Sequence, residues 1–296
     1  MSASRRATPP LLRDLNERTV LETIRAGSPI SRAEISRRSG ISKPTVSLAL
    51  QSLLQAELVR ETAERPDGPG YGAVYFEPVA EAAVVLGLDL GARFVRGAVC
   101  DLTGSVRARQ DVELTVAEVA GAVEAIERLR TSLLGAAGLD PDRIDGVVVG
   151  VPGVVETGSG VLRLAENVAG LEGRAFAEEL RNALGLPATL ENDINLAALG
   201  EQWQGVARGV DDFVFLSVGT GMGAGLVLGG GIGANGDLLL DPVGGLLAEW
   251  LPFPPRVEVS TLGEAAVLTG ALAIGLQAAL ENVFARRGPL AASRSG

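Results

Sequence analysis

Apolar positions in the first 80 residues recur at helical spacing in three short runs. From Leu11 to Ala26, the residues Leu15, Val20, Leu21 and Ile24 mark one face of a helix, and Gly27-Ser28-Pro29 ends it. A second helix opens at Ser31 with Glu34 three residues on, a capping box in which both side chains satisfy backbone N–H groups; it stops at Gly40. A third starts at Ser42-Lys43-Pro44-Thr45, with Pro44 in the first turn, where its missing N–H does no harm. Val46, Leu50, Leu53, Leu54 and Leu58 line its apolar side. The pattern then becomes strand-like at Glu57–Glu61 and Ala73–Phe76, on either side of the turn-rich tip Pro66–Gly72. Two helices around a short turn, followed by a hairpin, predict a winged helix-turn-helix over residues 10–76.

Residues 77–83 read as a linker, and a different pattern follows. Strand-like runs at Val84–Leu90, Phe94–Asp101 and Ser105–Leu114 are separated by tight turns. Then come a helix over Ala117–Ala137, a buried strand over Ile144–Val151 ending at Pro152-Gly153, a helix over Ala175–Leu184 and a strand over Ala188–Glu191. That order predicts an α/β lobe over residues 84–190. A second lobe over 191–287 opens with a helix at Asp193–Gly205. A hairpin, Asp212–Val218 and Ala224–Leu228, brackets Gly219-Thr220-Gly221-Met222-Gly223, and the glycine-rich run Gly229–Gly236 follows. A helix over Leu239–Leu251, a strand over Val257–Ser260 and a long helix over Gly263–Arg286 complete it. Residues 288–296 are small and polar and read as a loose tail.

Composition narrows the chemistry. The 296 residues are 47% hydrophobic and 21% charged, a globular balance. No stretch of about 18 uninterrupted apolar residues occurs, so no membrane partner is expected and the expected compartment is the cytoplasm. Cys100 is the single cysteine and there is no histidine. Disulfide frameworks, cysteine-rich zinc sites, imidazole acid–base chemistry and Ser-His triads are therefore excluded. Residues 1–76 hold 11 basic and 8 acidic side chains, whereas the rest of the chain holds 15 and 28. A basic head on an acidic body fits a nucleic-acid-binding module joined to a part that avoids nucleic acid. A net of +3 is also small enough to need no partner.

The third helix carries the chemistry of a DNA reader. Ser42, Lys43, Thr45, Ser47 and Gln51 sit off its apolar face near the N-terminus, where short donors and acceptors enter a major groove. Arg60 and Arg65 in the hairpin are placed for phosphate backbone or minor groove. Leu48 departs from the pattern, because it points away from the core stripe at a position where a polar or basic residue is more useful on DNA.

In the body, Gly91 and the hairpin residues Gly219, Thr220, Gly221 and Gly223 form phosphate-loop-like turns, with exposed N–H groups that suit a phosphate and equally suit an ordinary tight turn. Glu191-Asn192-Asp193-Ile194-Asn195 places a carboxylate and two amides at a strand end, where ligands are often read; Asp193 also suits the cap of the next helix.

Taken together these residues resemble the ROK family of repressors, open reading frames and sugar kinases, from Leu15 to Arg287. The anchors are the winged head, Asp89-Leu90-Gly91-Ala92-Arg93, Pro152-Gly153, Ala165-Glu166-Asn167-Val168, the Glu191–Asn195 segment, Gly219-Thr220-Gly221-Met222-Gly223-Ala224-Gly225 and the Gly-Gly-Gly-Ile run ending at Ile232. The resemblance implies an α/β fold in which the winged helix-turn-helix precedes an actin-like, ribonuclease-H-like, two-lobe domain of sugar-kinase type. The fused head looks like the repressor branch. It implies operator DNA, a homodimer, and a sugar or sugar phosphate effector. In the family's kinases the aspartate matching Asp193 is the general base, and the asparagines matching Asn192 and Asn167 hold the sugar.

Departures from the family pattern bear on activity. The kinases carry Asp-x-Gly-Gly-Thr for ATP phosphate, whereas this chain has Arg93 in place of the threonine. The family's Glu-x-Gly-His and its cysteine-rich zinc motif are absent. The resemblance thus implies neither zinc nor ATP here, and Asp193 as a sugar ligand and not a catalyst. At Leu228-Gly229-Gly230 the hairpin runs straight into the late glycine motif, where the family has an intervening block. That points to a truncated second lobe, through an internal deletion or in a compact relative that closes the lobe differently. The expected function is a non-catalytic, sugar-responsive DNA-binding regulator, in all a repressor of carbohydrate genes. The alternatives are a sugar kinase and a DNA-binding remnant that has lost its effector site.

Overall fold

The computed structural model describes residues 9–63, 73–114, 119–140, 143–156, 159–164, 171–186, 188–218, 222–228, 231–232 and 258–285. The chain divides into two compact units. One comprises Met1–Ala82, Asp101–Thr103 and Val283–Gly296; the other comprises Ala83–Cys100 and Gly104–Asn282.

The first unit runs α1 (Pro9–Gly27), β1 (Ile30–Ser31), α2 (Arg32–Ser39), α3 (Lys43–Gln55), β2 (Val59–Thr62) and β3 (Tyr75–Pro78). Its core is made by Val20, Leu21 and Ile24 of α1, Ile35 of α2, Val46, Leu50 and Leu53 of α3, and Phe76 of β3. The helix ends are written locally. The Ser31 hydroxyl accepts the Glu34 N–H at 3.3 Å. Gly40 ends α2 at φ 70°, a left-handed conformation that a side chain would strain. The Glu34 carboxylate turns to Arg37 and Arg38, whose hydrogen bonds hold it down to about 2. Three features differ from the sequence pattern. Leu15 is exposed, and the buried side chain in that part of α1 is Glu17, paired with Arg13 at 2.9 Å. The hairpin gains a third strand, since β1 pairs antiparallel with β3. And β3 continues through Glu77 and Pro78, which the pattern placed in a linker, because Arg60 and Val59 pair with them across the hairpin. The wing tip, Pro66–Gly72, lies outside the described residues.

The second unit is built on a five-stranded sheet of β4 (Val84–Leu90), β5 (Phe94–Asp101), β6 (Val106–Glu113), β7 (Gly146–Val151) and β10 (Ala188–Asn192), in the order β10-β7-β4-β5-β6. The short pair β8 (Val154–Val155) and β9 (Leu162–Arg163) forms a separate ribbon. β10, β7 and β4 are parallel neighbours, and β5 and β6 are antiparallel. Alternation sets the two faces. Val84, Leu86, Leu88 and Leu90, with Val147, Val149 and Val151, join α4 (Val119–Ala137) and α5 (Phe176–Leu184) in one core. The opposite face, through Val85, Gly87, Val148 and Gly150, receives α6 (Asp193–Gln204) and α7 (Ala266–Ala285). A Cβ on Gly270 would run into the Leu196 carbonyl, and one on Gly200 into the Ala266 carbonyl, so these two glycines let α6 and α7 cross with backbones in contact.

The region Gly263–Phe284 is long and apolar enough, by length and composition, to cross a membrane, which the sequence pattern did not anticipate. Its packing gives the physical reason for that composition: Ala271 and Leu272 press on Gly87, and Gly275 seats against Val85 and Val148. Residues 258–260, expected within a strand, form none. The Ser260 hydroxyl instead bonds the buried Glu201 carboxylate and accepts the Gly263 N–H at 3.1 Å, opening the turn before α7. The helix expected over Leu239–Leu251 lies outside the described residues.

A smaller sheet, β11 (Phe213–Val218), β12 (Met222–Leu228) and β13 (Gly231–Ile232), follows α6. Gly223 and Gly225 turn one of its faces onto Ile194 and Ala198 of α6. In the antiparallel register the other face carries Val214, Leu216, Ala224, Leu226 and Leu228. Of these, Val214, Leu216 and Leu228 are 47%, 61% and 56% exposed.

Candidate functional sites

The first candidate site is the outer face of α3. Ser42 caps the helix, its hydroxyl sharing a 2.9 Å hydrogen bond with Thr45 Oγ1 and accepting the Thr45 N–H. Ser47 Oγ donates to the Lys43 carbonyl at 2.9 Å and accepts from Arg32 Nη1 at 3.4 Å. Three of the five polar side chains picked from the sequence therefore make bonds within their own neighbourhood. Lys43 and Gln51 stand exposed, as do Pro44 and Leu48, while Val46, Ala49, Leu50 and Leu53 are buried. Leu48 is 69% exposed. Arg60, also picked, lies on the hairpin stem, where its Nε donates to Glu77 Oε1 at 2.6 Å. Arg65 lies outside the described residues. Sequence reading missed Arg32, the first residue of α2, which reaches α3 through Ser47.

The second candidate site collects at the carboxyl ends of the parallel strands. Asp89 pairs with Gly150, and Val151 with Asn192, so β4, β7 and β10 end at the same edge, the edge where α/β sheets take ligands. The helix cap here is Asn192 and not Asp193. Asn192 Oδ1 accepts the Asn195 N–H at 3.0 Å, while its Nδ2 donates to the Gly153 carbonyl at 2.7 Å. Gly153 holds φ 90°, and a Cβ there would strike the Arg163 carbonyl. Glu191 Oε1 accepts from the Asn192 N–H and from Asn195 Nδ2, both at 3.0 Å. Asp193 is the first residue of α6 and accepts the Ile194 N–H at 2.8 Å.

Asp89 lies on the α7 side of the sheet and is buried. Arg96, two residues into β5, meets it at 3.4 Å, and also stands 3.6 Å from Asp111 and 3.7 Å from Glu264. Burial pushes the Asp89 carboxyl up to about 6; the Arg96 guanidinium opposes this, and the charges of Asp193 and Asp111 add to it. Arg96 Nε is buried without a hydrogen bond among the described residues. Sequence reading missed Arg96. Its signal was a lone charge inside the apolar strand Phe94–Asp101, at a position that alternation turns to the same face as Asp89.

The phosphate-loop-like glycines have local duties. The Gly91 N–H donates to the Phe94 carbonyl at 2.9 Å, closing the turn between β4 and β5. Gly223 pairs with Ser217 and lies against Ile194, where a Cβ would press into the isoleucine. Gly219, Thr220, Gly221 and Asn167 lie outside the described residues. The donors of a thiolate zinc motif are not in the chain, since Cys100 is its one cysteine and lies buried in β5.

Comparison with known proteins agrees with both units. Residues 14–68 match the MarR family, and residues 85–238 match the ROK family. The xylose repressor of Caldicellulosiruptor bescii is 30% identical over 222 residues, covering 74% of this chain and 55% of that protein. The glucokinase of Thermotoga maritima is 30% identical over 168 residues, 54% of this chain and 52% of the kinase. The chain spans about half the length of the curated relatives it matches. A solved ROK family transcriptional regulator, a homologue of the E. coli MLC protein, superposes with a TM-score of 0.59 at 19% identity, over 93% of this chain and 88% of its own. That likeness gives the fold, a winged helix followed by an actin-like α/β body. With the family match extending over more than half of its residues, this chain belongs to the ROK family.

Proposed function

We propose that this chain is a sugar-responsive, DNA-binding transcriptional repressor of carbohydrate genes, acting in the cytoplasm as a homodimer and without kinase activity. The carrying observation is α3, a capped helix that presents Lys43, Pro44, Leu48 and Gln51 outward from its first three turns beside a two-stranded wing. A helix of that kind places its N-terminal side chains on base edges and its N–H groups near phosphates. Arg60, on the hairpin stem, and Arg65 meet the phosphate backbone. A dimer reads two half-sites about 34 Å apart, one helical turn of DNA. The named repressors among the relatives support the same reading.

In the body, Asn192 and Asp193, with Asn167, hold the sugar. A carboxylate accepts two hydroxyl hydrogen bonds, which suits a sugar ligand without any proton transfer. The strand-end carboxylates disfavour an anionic effector, because Asp89, Asp111 and Glu264 gather around Arg96 and the charge of Asp193 acts on Asp89. Two observations support a site that does not use a nucleotide. Arg93 replaces the kinase threonine, and Asp89, in the stretch matching the kinases' phosphate motif, is engaged by Arg96. Sugar occupancy then shifts the head between DNA-competent and DNA-incompetent populations in proportion to its differential affinity for the two.

The experiment is DNA binding by Lys43→Ala across a salt series. Loss of one phosphate contact lowers affinity and reduces the salt slope by about one. An unchanged slope removes Lys43 from the interface. Asp193→Asn, measured alongside, keeps DNA binding and loses the response to sugar.

A further inference from the structure

Leu48 is the outlying side chain of α3. The helix buries Val46, Ala49, Leu50 and Leu53 and leaves Pro44, Leu48 and Gln51 exposed. A single exposed leucine is ordinary on a protein surface. This one is 69% exposed in the second turn of the helix, between Lys43 and Gln51, where a groove-reading helix makes its base contacts. The hydroxyls that would otherwise read bases there are engaged close by: Ser42 with Thr45, and Ser47 with the Lys43 carbonyl and Arg32. Leucine offers no donor and no acceptor. In the major groove one base alone presents an apolar group at its edge, thymine with its 5-methyl.

We infer that Leu48 is a specificity-determining residue that packs against the 5-methyl group of a thymine in the major groove. Lys43 and Gln51 supply polar contacts on either side, and Leu48 fixes thymine at one position in each half-site. The inference rests on the DNA-binding reading and adds the base that is read. Contact with a protein partner through Leu48 is the competing use of this side chain, and it predicts no dependence on a DNA methyl group.

The test uses the full chain and duplexes that it enriches from a randomised pool. Each thymine of an enriched duplex is replaced in turn by deoxyuridine, which removes the methyl and leaves the pairing intact, and affinity is read by fluorescence anisotropy. The parent chain loses about fourfold in affinity per half-site at one thymine, the worth of one buried methyl. Leu48→Ala binds more weakly and is indifferent to that replacement, whereas Leu48→Met keeps the sensitivity. Because position 48 is exposed and alanine is the better helix former, Leu48→Ala keeps the fold, and its circular dichroism matches the parent's. Indifference of the parent to every replacement, or equal sensitivity in Leu48→Ala, overturns the role of Leu48 alone. A pool that the chain never enriches overturns the DNA-binding reading together with this one.

Discussion

The two candidate sites are built in opposite ways. In the head, Lys43, Pro44, Leu48 and Gln51 follow one another along a single helix, whose cap and Ser47–Lys43 bond close within five residues. In the body, Asp89, Arg96, Asp111, Asp193 and Glu264 come from five separate segments and meet only because the sheet and its covering helices bring them together. The head displays Lys43 and Gln51 to water. The body buries Asp89 beside Arg96, at a cost in desolvation, with Asp111 and Glu264 on its exposed side. A site of the first kind survives damage elsewhere in the fold, while a site of the second kind depends on long-range packing.

That contrast is broken hardest at the crossing of α6 and α7. Gly270→Leu forces a side chain into the Leu196 carbonyl and destabilises the body by about 3 kcal/mol or more. Thermal unfolding followed by circular dichroism reads it, and an unshifted transition removes the crossing from the account.

Asp89 gives the next effect. An unfolded aspartate titrates near 3.9 and the folded one near 6, so the folded chain binds the extra proton between those values. Stability from this group is present in full below pH ~4 and is lost as pH rises through about 6. Asp89→Asn removes that loss. It stabilises the body by about 1–2 kcal/mol at pH 7 and flattens the pH dependence between about 4 and 6. A parent–variant difference that stays constant with pH assigns the titration to another group.

Ser31→Ala acts on the head alone. Losing the cap of α2 costs about 1 kcal/mol, and the body transition stays where it was. Smallest of all is Leu216→Lys on the open face of β11. It changes stability by less than about 0.5 kcal/mol and lowers light scattering by concentrated protein, because it interrupts an exposed apolar face.

How much could be read in advance follows the same division. The head was legible because its signals are short. Ser31, Gly40, Ser42 and Pro44 fix three helix ends through contacts no more than three or four residues away. Leu15 was misplaced because helical period alone does not say how far along a helix its partner extends. The inner strands of the first lobe, β4 and β7, were legible because both faces are buried, which writes near-continuous apolar runs such as Val84–Leu90. Arg96 was not, since its partners Asp89, Asp111 and Glu264 are set by sheet order and by the approach to α7. The strand expected near Ser260 failed for a related reason, as Glu201, 59 residues away, captures the serine hydroxyl.

The central claim is a DNA-binding head governed by a sugar held in the body. Fluorescence anisotropy of the full chain on duplex from its own upstream region, with a panel of neutral pentoses and hexoses and their phosphates, tests it most directly. The account predicts tight, salt-sensitive binding that one neutral sugar releases. No binding by a monodisperse sample, or sugar-dependent release of ADP from ATP by the same preparation, contradicts it.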